Sequence, residues 1–446
     1  MTAPSSSDAV GFEPAERSAV PDSTATAAPA STAKPAAPSL FSASHGARLW
    51  EIDAVRGLML VLMTLTHLST VLSNPAGQPF GFVSAAEGFV MLSAFMAGLV
   101  YSQRALKDGI VAMRSAFLMR ALKIYGCQAA LLLFLFTFVA VLGLTVEQPA
   151  VTDLMAYYLH QPFTAFIGGL LLMYNPPLLD ILPIYVLFML ISPPILAHGL
   201  RHGWNGILAV SVTLWVLAQF GLGEAGYELM QSLTGLPIPY REAGSFEMFG
   251  WQFIWILGLW MGATASVARA HNERAFPEFP GWMVAVAVAV ALFLLGWRHV
   301  IGQVPFPQFH AYDWHNRMFD KWHLGPLRII NFFALLIVTM RFGPTWASKV
   351  PRQRWLEILG SASLPVFCAQ LVVVLLGLAI FGAWRPERPL WIDVAILVSS
   401  AAILMGVAWI SHQLDEYSAA FKKRRAASKK ARLERRAAKR AERATQ

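Results

Sequence analysis

The sequence predicts an all-α, polytopic membrane protein of about ten transmembrane helices with both termini cytoplasmic, and three observations carry that prediction. Only 14% of the 446 residues are charged and 56% are hydrophobic, where a soluble domain carries about 25% charged residues. Apolar runs close to the ~20 residues that a bilayer-crossing helix needs recur along the whole chain. The remaining positive charge is distributed unevenly between the two sides those runs would define.

Residues 1–47 are rich in Ala, Pro, Ser and Thr, with neither an apolar core run nor the basic start of a signal peptide. They predict a disordered cytoplasmic tail. A first helix runs from about Ile52 to Leu72. Asn74-Pro75-Ala-Gly77 then reads as a turn, short enough to lay a second helix, about Ala85 to Tyr101, antiparallel beside the first. A basic connector with Arg104, Lys107, Arg114, Arg120 and Lys123 leads into a third helix, about Ala121 to Leu144. The run Phe163 to Met173 is too short to span and is followed by Asn175-Pro-Pro177, which predicts a re-entrant or interfacial segment. Counting it as an eleventh span would put the connector and the basic tail on opposite sides.

Helices four to seven follow at about Leu179 to His198, Gly206 to Leu222, Met248 to Ala268 and Trp282 to Trp297, with a polar loop before Met248. A long aromatic, His-rich loop covers Arg298 to Gly325. Helices eight to ten take about Pro326 to Met340, Leu356 to Phe381 and Trp391 to His412. Residues 413–446 form a basic tail, so the organisation is 1–47 tail, 48–412 membrane domain, 413–446 tail. With ten spans, about 27 Lys and Arg fall on the cytoplasmic side and about 6 outside, Arg56 and Arg328 being intramembrane. That is the asymmetry the positive-inside rule expects of a multi-pass membrane protein. The net charge of +9 owes much to the tail, where twelve of the 35 basic residues lie beyond residue 420. It is therefore no nucleic-acid signal; the tail reads as a solvated anchor beside anionic lipid.

Chemistry concentrates on the first helix. Arg56 and His67 are eleven residues apart, which at 100° and 1.5 Å per residue returns to nearly the same face about 16 Å further along. Ionisable groups inside a membrane are costly and usually face a cavity. Arg56 lies near the cytoplasmic end, where its planar fork of donors suits a phosphate-bearing ligand, with Asp53 one turn away for an ion pair. His67 lies past the midplane, where a neutral imidazole is a candidate general base for a hydroxyl. Its bland alternative is a hydrogen-bonded histidine inside a bundle. Glu87, at similar depth on the second helix, is the candidate carboxylate beside it, a structural ion pair being the rival reading. Ser93 is more readily a packing residue than a nucleophile.

Arg328 either snorkels to the interface or receives an anion such as the free carboxylate of a dicarboxylic acyl chain. The external loop carries His299, His310, His315 and His323 among Phe309, Tyr312, Trp314 and Trp322. Its irregular spacing argues against a metal site. With Asp313, Asn316 and Asp320 it forms either a sugar platform or an aromatic belt. Cys127 and Cys368 lack partners at ligand spacing and read as small core residues.

The eleven-residue Arg56–His67 arrangement resembles the signature of the acyltransferase-3 superfamily. Five further segments resemble OpgC-type proteins, the succinyltransferases of osmoregulated periplasmic glucans. They begin at Ser84-Ala-Ala-Glu87, Leu179-Asp-Ile-Leu-Pro, Trp251-Gln-Phe-Ile-Trp, Asp320-Lys-Trp-His and Leu359-Gly-Ser-Ala-Ser, in that order. The resemblance implies a ten-helix enzyme that moves an acyl group, most readily succinyl, from cytoplasmic acyl-CoA to a hydroxyl of a periplasmic glycan. Acyl-CoA is then a co-substrate, with no tightly bound cofactor. His67 matches the catalytic histidine and Arg56 the arginine that serves acyl-CoA, with Asp53 and Arg120 expected beside the donor. Glu87 matches the acid of the helix-two motif. Arg328, Asp320, Lys321, Trp314 and Trp251 are expected at the acyl carboxylate or the acceptor. Two positions depart from the pattern: Thr66 precedes His67 in place of Asp, and Ala94 follows Ser93 in place of Gly. The first leaves Glu87 to orient the histidine.

The rival class is a proton-coupled exporter using His67, Glu87 and Arg328 as a relay. It predicts internal repeats, and no two halves share Gly/Pro-broken segments. A scaffold recruiting partners through the basic tail would leave the buried His and Glu without a role.

Overall fold

The computed structural model describes residues 50–302 and 314–444. Among them regular structure is helical, apart from one isolated β-bridge between Phe80 and Val83. The first helix, α1, is Trp50–His67, ending on the histidine rather than at Leu72. Helix α2, Ala85–Phe134, is broken at Gly109, whose φ of +85° belongs to the region that favours glycine. The chain reverses there: the Tyr101 and Phe117 rings, sixteen residues apart, lie with centroids 3.9 Å from one another. The connector expected between two helices is thus helical up to the break and again after it.

After α2 come short helices at Pro149–Leu154, Ala156–His160 and Pro162–Leu170. Nine residues at 1.5 Å each cover about 14 Å, half a bilayer core. Helix α3 is Ile181–His202 and α4 is Asn205–Ala218. The sequence predicts a polar loop next, but residues Leu222–Thr234 form a helix, α5, bent 87° from α4. Left-handed glycines, Gly221 and Gly235, bound it, and Tyr227 docks it by donating its hydroxyl to Met173 O and Ile238 O at 3.1 and 3.2 Å. An amphipathic helix with so few contiguous apolar residues leaves little hydropathy signal.

Helix α6 is Met248–Ala270, α7 is Gly281–Gly296 and α8 is Pro326–Lys349. The single span expected from Leu356 to Phe381 divides at Ala362 into α9, Arg354–Ser361, and α10, Ser363–Phe381. Helix α11, Leu390–Ala444, continues without interruption through the basic residues expected as a separate tail. The Ala/Pro-rich tail predicted over residues 1–47 lies outside the described residues.

Seven of these helices are long and apolar enough to cross a membrane, eight if α4 and α5 together make one span. The difference from ten has two sources. Helix α1 opens with Glu51, Asp53 and Arg56, which dilute its apolar window, and α2 passes as one helix although Gly109 folds it in two.

Close helix approach supplies the packing. On α2 and α6, Gly98, Gly258 and Gly262 abut the opposite backbone so closely that a Cβ would collide with a carbonyl oxygen. Gly57 of α1 and Gly360 of α9 do the same, against Leu356 O and Asp53 O. Lipid tails are as apolar as leucine, so small residues that allow backbone contact replace the hydrophobic drive of a soluble core. Trp251 and Trp255, in the first half of α6, are fully buried, and Trp255 donates its indole N–H to Ser192 Oγ at 2.9 Å.

Candidate active site

Two cavities lie along α1, at opposite ends of its Arg56–His67 stripe. The inner one encloses about 190 Å³ and is lined by Arg56, Ser93, Tyr101, Arg120, Tyr185 and Ser363. The outer one encloses about 320 Å³ and is lined by Thr66, His67, Asp180, Ser245, Lys321 and Trp322. The outer cavity reaches the lower end of the range of small-molecule sites, ~300–1,000 Å³, and the inner one is smaller.

Helix α10 faces α1 with a stripe of its own. Ser363 Oγ accepts from Arg56 Nη2 at 2.5 Å, and Gln370 Nε2 stands 3.1 Å from His67 Nδ1. Phe367 lies between them at i+4 and i+7 spacing, so all three share a face. Ser363 lies in the Leu359-Gly-Ser-Ala-Ser segment that the sequence marks, whereas Gln370 has no signal beyond being a polar residue in an otherwise apolar helix. Asp53 lines neither cavity and instead pairs with Arg56, Oδ1 to Nη1 3.6 Å. Arg56 therefore reaches the inner cavity held from both α1 and α10, and Arg120 joins it there.

Glu87 does not meet His67. It sits at the third position of α2 in a capping box with Ser84: the Ser84 backbone N–H donates to its Oε2 at 3.0 Å, and the Ser84 hydroxyl does so as well. Its Oε1 accepts from Arg328 Nη1 at 3.0 Å, both side chains being buried. Arg328 also donates to Phe319 O at 2.7 Å and to Phe82 O. The expectation that Glu87 orients the histidine and Arg328 receives an anion is corrected on the same ground: each is the other's counter-ion in the seam joining α2, α8 and the outer turn. The neutral Gln370 amide stands where that carboxylate was expected. Thr66, in place of the expected Asp, donates to Leu62 O at 2.8 Å and Ala76 O at 3.2 Å.

Asp320 and Trp251 are likewise structural. Asp320 accepts from the backbone N–H groups of Trp322 and His323 at 3.1 and 3.2 Å and pairs with His323 Nδ1, closing the outer turn. Burial alone would raise its pKa, but the hydrogen bonds from His323 and from those two amides hold its carboxyl below the usual range. Trp251 is buried and donates to Trp322 O at 3.0 Å, anchoring that turn to α6.

The turn carries Lys321 into the outer cavity, with its ammonium 5.0 Å from the Trp322 ring centre and 5.9 Å from that of Phe246. Burial pushes the Lys321 ammonium below the ordinary lysine value; Glu87 and Asp180 pull it back up and Arg328 adds to the lowering. Trp314 begins a short helix, Trp314–Phe319, but its side chain and that of His315 lie outside the described residues, as do Phe309, His310, Tyr312 and Asp313. Among the described residues no group of three or more His, Cys, Asp or Glu is placed to hold a metal ion.

One wall separates the cavities. Ile181 and Phe367 line both of them, and the Phe89 ring stacks on Phe367 with centroids 6.0 Å apart and planes 17° from parallel. A site with cations at both ends and an apolar partition suits two polar substrates that meet from opposite directions. Compared with known protein families, the chain matches the model described as OpgC protein over residues 48–416. No curated protein and no solved structure matches it.

Proposed function

The chain belongs to the OpgC family, which points to a membrane-associated, glucan-modifying acyltransferase, and from that premise we propose that it transfers an acyl group, most readily succinyl, from cytoplasmic acyl-CoA to a hydroxyl of a periplasmic glycan. The observation that carries the reading is the pair of cavities on one stripe of α1, with Arg56 in the inner and His67 in the outer. The proposed topology has ten spans in the inner membrane, counting α1, both arms of α2 and the bent α4–α5 pair, with both termini cytoplasmic. The connector and α11 then share the basic, cytoplasmic side.

Acyl-CoA enters the inner cavity, where Arg56 and Arg120 meet its phosphates and the thioester points toward Phe367. The acceptor enters the outer cavity. Its hydroxyl oxygen attacks the thioester carbonyl carbon while His67 takes the hydroxyl proton. The C–S bond breaks, and the departing CoA sulfur takes that proton from the imidazolium, leaving an ester and free CoA. Lys321 offers its charge to the free carboxylate of a succinyl group.

Gln370 orients the ring. Its Oε1 has no hydrogen-bond partner among the described residues, and the two ends of an amide are assigned from the hydrogen-bond network alone. With the amide turned over, Oε1 accepts from Nδ1–H and leaves the Nε2 lone pair free to act as base.

The test uses purified protein in detergent with radiolabelled succinyl-CoA or acetyl-CoA and a periplasmic glucan. Label should reach the glucan with wild type and fall by about 100- to 10,000-fold with His67→Ala, the usual worth of a general base. Absence of acyl-CoA binding by the wild type would sink the reading.

A further inference from the structure

We propose that the wall formed by Phe89, Ile181 and Phe367 is the acyl-chain site of the protein and sets the length of acyl group it transfers. The inference rests on the acyl-transfer reading above and deepens it. Because Ile181 and Phe367 each line both cavities, the partition there is one side chain thick. A thioester held in the inner cavity has to present its carbonyl through this partition for a base on the outer side to serve the attack.

The chemistry of the wall agrees with that placement. The inner cavity has Arg56 and Arg120 and the outer has His67 and Lys321, whereas all three wall side chains are apolar. In an acyl-CoA and a sugar, the acyl methylenes are the apolar portion, and they sit between the anionic carrier and the polar acceptor. An apolar collar between one chamber that carries Arg56 and Arg120 and another that carries His67 and Lys321 matches that order. The collar is also rigidly placed. Phe367 lies one turn from both Ser363 and Gln370, which bind Arg56 and His67, so the wall and both functional side chains of α1 share one register. Phe89 is backed by Tyr185, with ring centroids 6.2 Å apart. All three wall residues are buried, leaving little slack for an extra carbon.

The test measures His67-dependent ester formation across a series of straight-chain and dicarboxylic acyl-CoA donors of increasing length. The proteins are the wild type, Phe367→Leu and Ile181→Val, which enlarge the wall, and Ile181→Phe, which narrows it. One methylene is worth ~10-fold or more in a fitted pocket. The enlarging variants should therefore raise the rate ratio of the longer donor over the preferred one by about tenfold. Ile181→Phe should shift the ratio comparably toward acetyl. Opposite shifts from opposite changes in volume cannot arise from a general loss of fold. If the wild type transfers in a His67-dependent way and all three variants keep its chain-length profile, the wall is not the acyl site, although the transferase stands. If the wild type transfers from no donor, both readings fall.

Discussion

Arg328 and Lys321 are cations seven residues apart, and the structure uses them in opposite ways. Arg328 is fully buried, with three acceptors: Glu87, Phe82 O and Phe319 O. The Lys321 ammonium makes no hydrogen bond or ion pair among the described residues and stands against two aromatic rings in the cavity that holds His67. Both are costly to bury, but only Arg328 has its cost offset on the spot by a counter-ion and backbone carbonyls. A buried cation with its guanidinium engaged in this way belongs to the framework; one left facing a cavity is available to an anionic ligand.

The largest expected effect comes from separating Arg328 from its partner. Arg328→Met leaves the Glu87 carboxylate buried without a counter-ion, and removing one member of such a pair costs about 3–5 kcal/mol. Thermal unfolding in detergent should show that loss. Unfolding unchanged from wild type would place Arg328 with the ligand-facing groups after all.

Lys321→Met should do the reverse. Its effect on unfolding should stay within about 0.5 kcal/mol, while kcat/KM for a succinyl donor falls by about 10- to 100-fold, the worth of one hydrogen bond to a charged group. The same variant should leave acetyl transfer nearly unaltered. Equal losses for both donors would remove the acyl carboxylate as the ligand of Lys321.

The comparison sharpens with pH. Burial lowers the Lys321 pKa, so the folded protein loses this charge at a lower pH than a free lysine does. Succinyl transfer should decline as pH rises through that depressed value, and Lys321→Arg, which keeps its charge, should flatten the decline. An unchanged profile in Lys321→Arg would show that another group governs the alkaline limb.

The smallest effect concerns the turn that presents Lys321. The Asp320 carboxyl lies below the usual carboxylate range when folded. Its contribution is therefore complete above the ordinary unfolded value of ~3.9 and is lost as pH falls through the depressed folded value. Asp320→Asn should remove that acid dependence from thermal unfolding and lower stability by about 1 kcal/mol at neutral pH. A variant as acid-sensitive as wild type would show that the turn is held by Trp251 and Trp322 alone.

Glu87 shows where reading the chain in one dimension stops. Its depth on the second helix is read from the sequence, while its capping box with Ser84 at the start of α2 is seen in the structure. Its partner Arg328 is 241 residues away, on a helix whose rotation only packing decides. Gln370 is 303 residues from His67, and nothing local marks it as anything other than a polar interruption.

What the sequence alone determined about this protein is local: helices over the long apolar runs, an interruption after the first of them at Asn74-Pro75, where the structure has one short helix, Ser73–Ala76, and one face of α1 bearing both Arg56 and His67. Those features depend on spacing and side-chain chemistry within a few turns. Tertiary structure alone decided that Glu87 neutralises Arg328, that Gln370 meets the histidine, and that Ile181 and Phe367 stand between the inner and outer cavities. Each of these requires the approach and rotation of separate helices, set by contacts such as Gly57 against Leu356 and Gly262 against Phe95. Glycines allow close approach wherever they occur, but only the assembled bundle selects which backbone lies opposite.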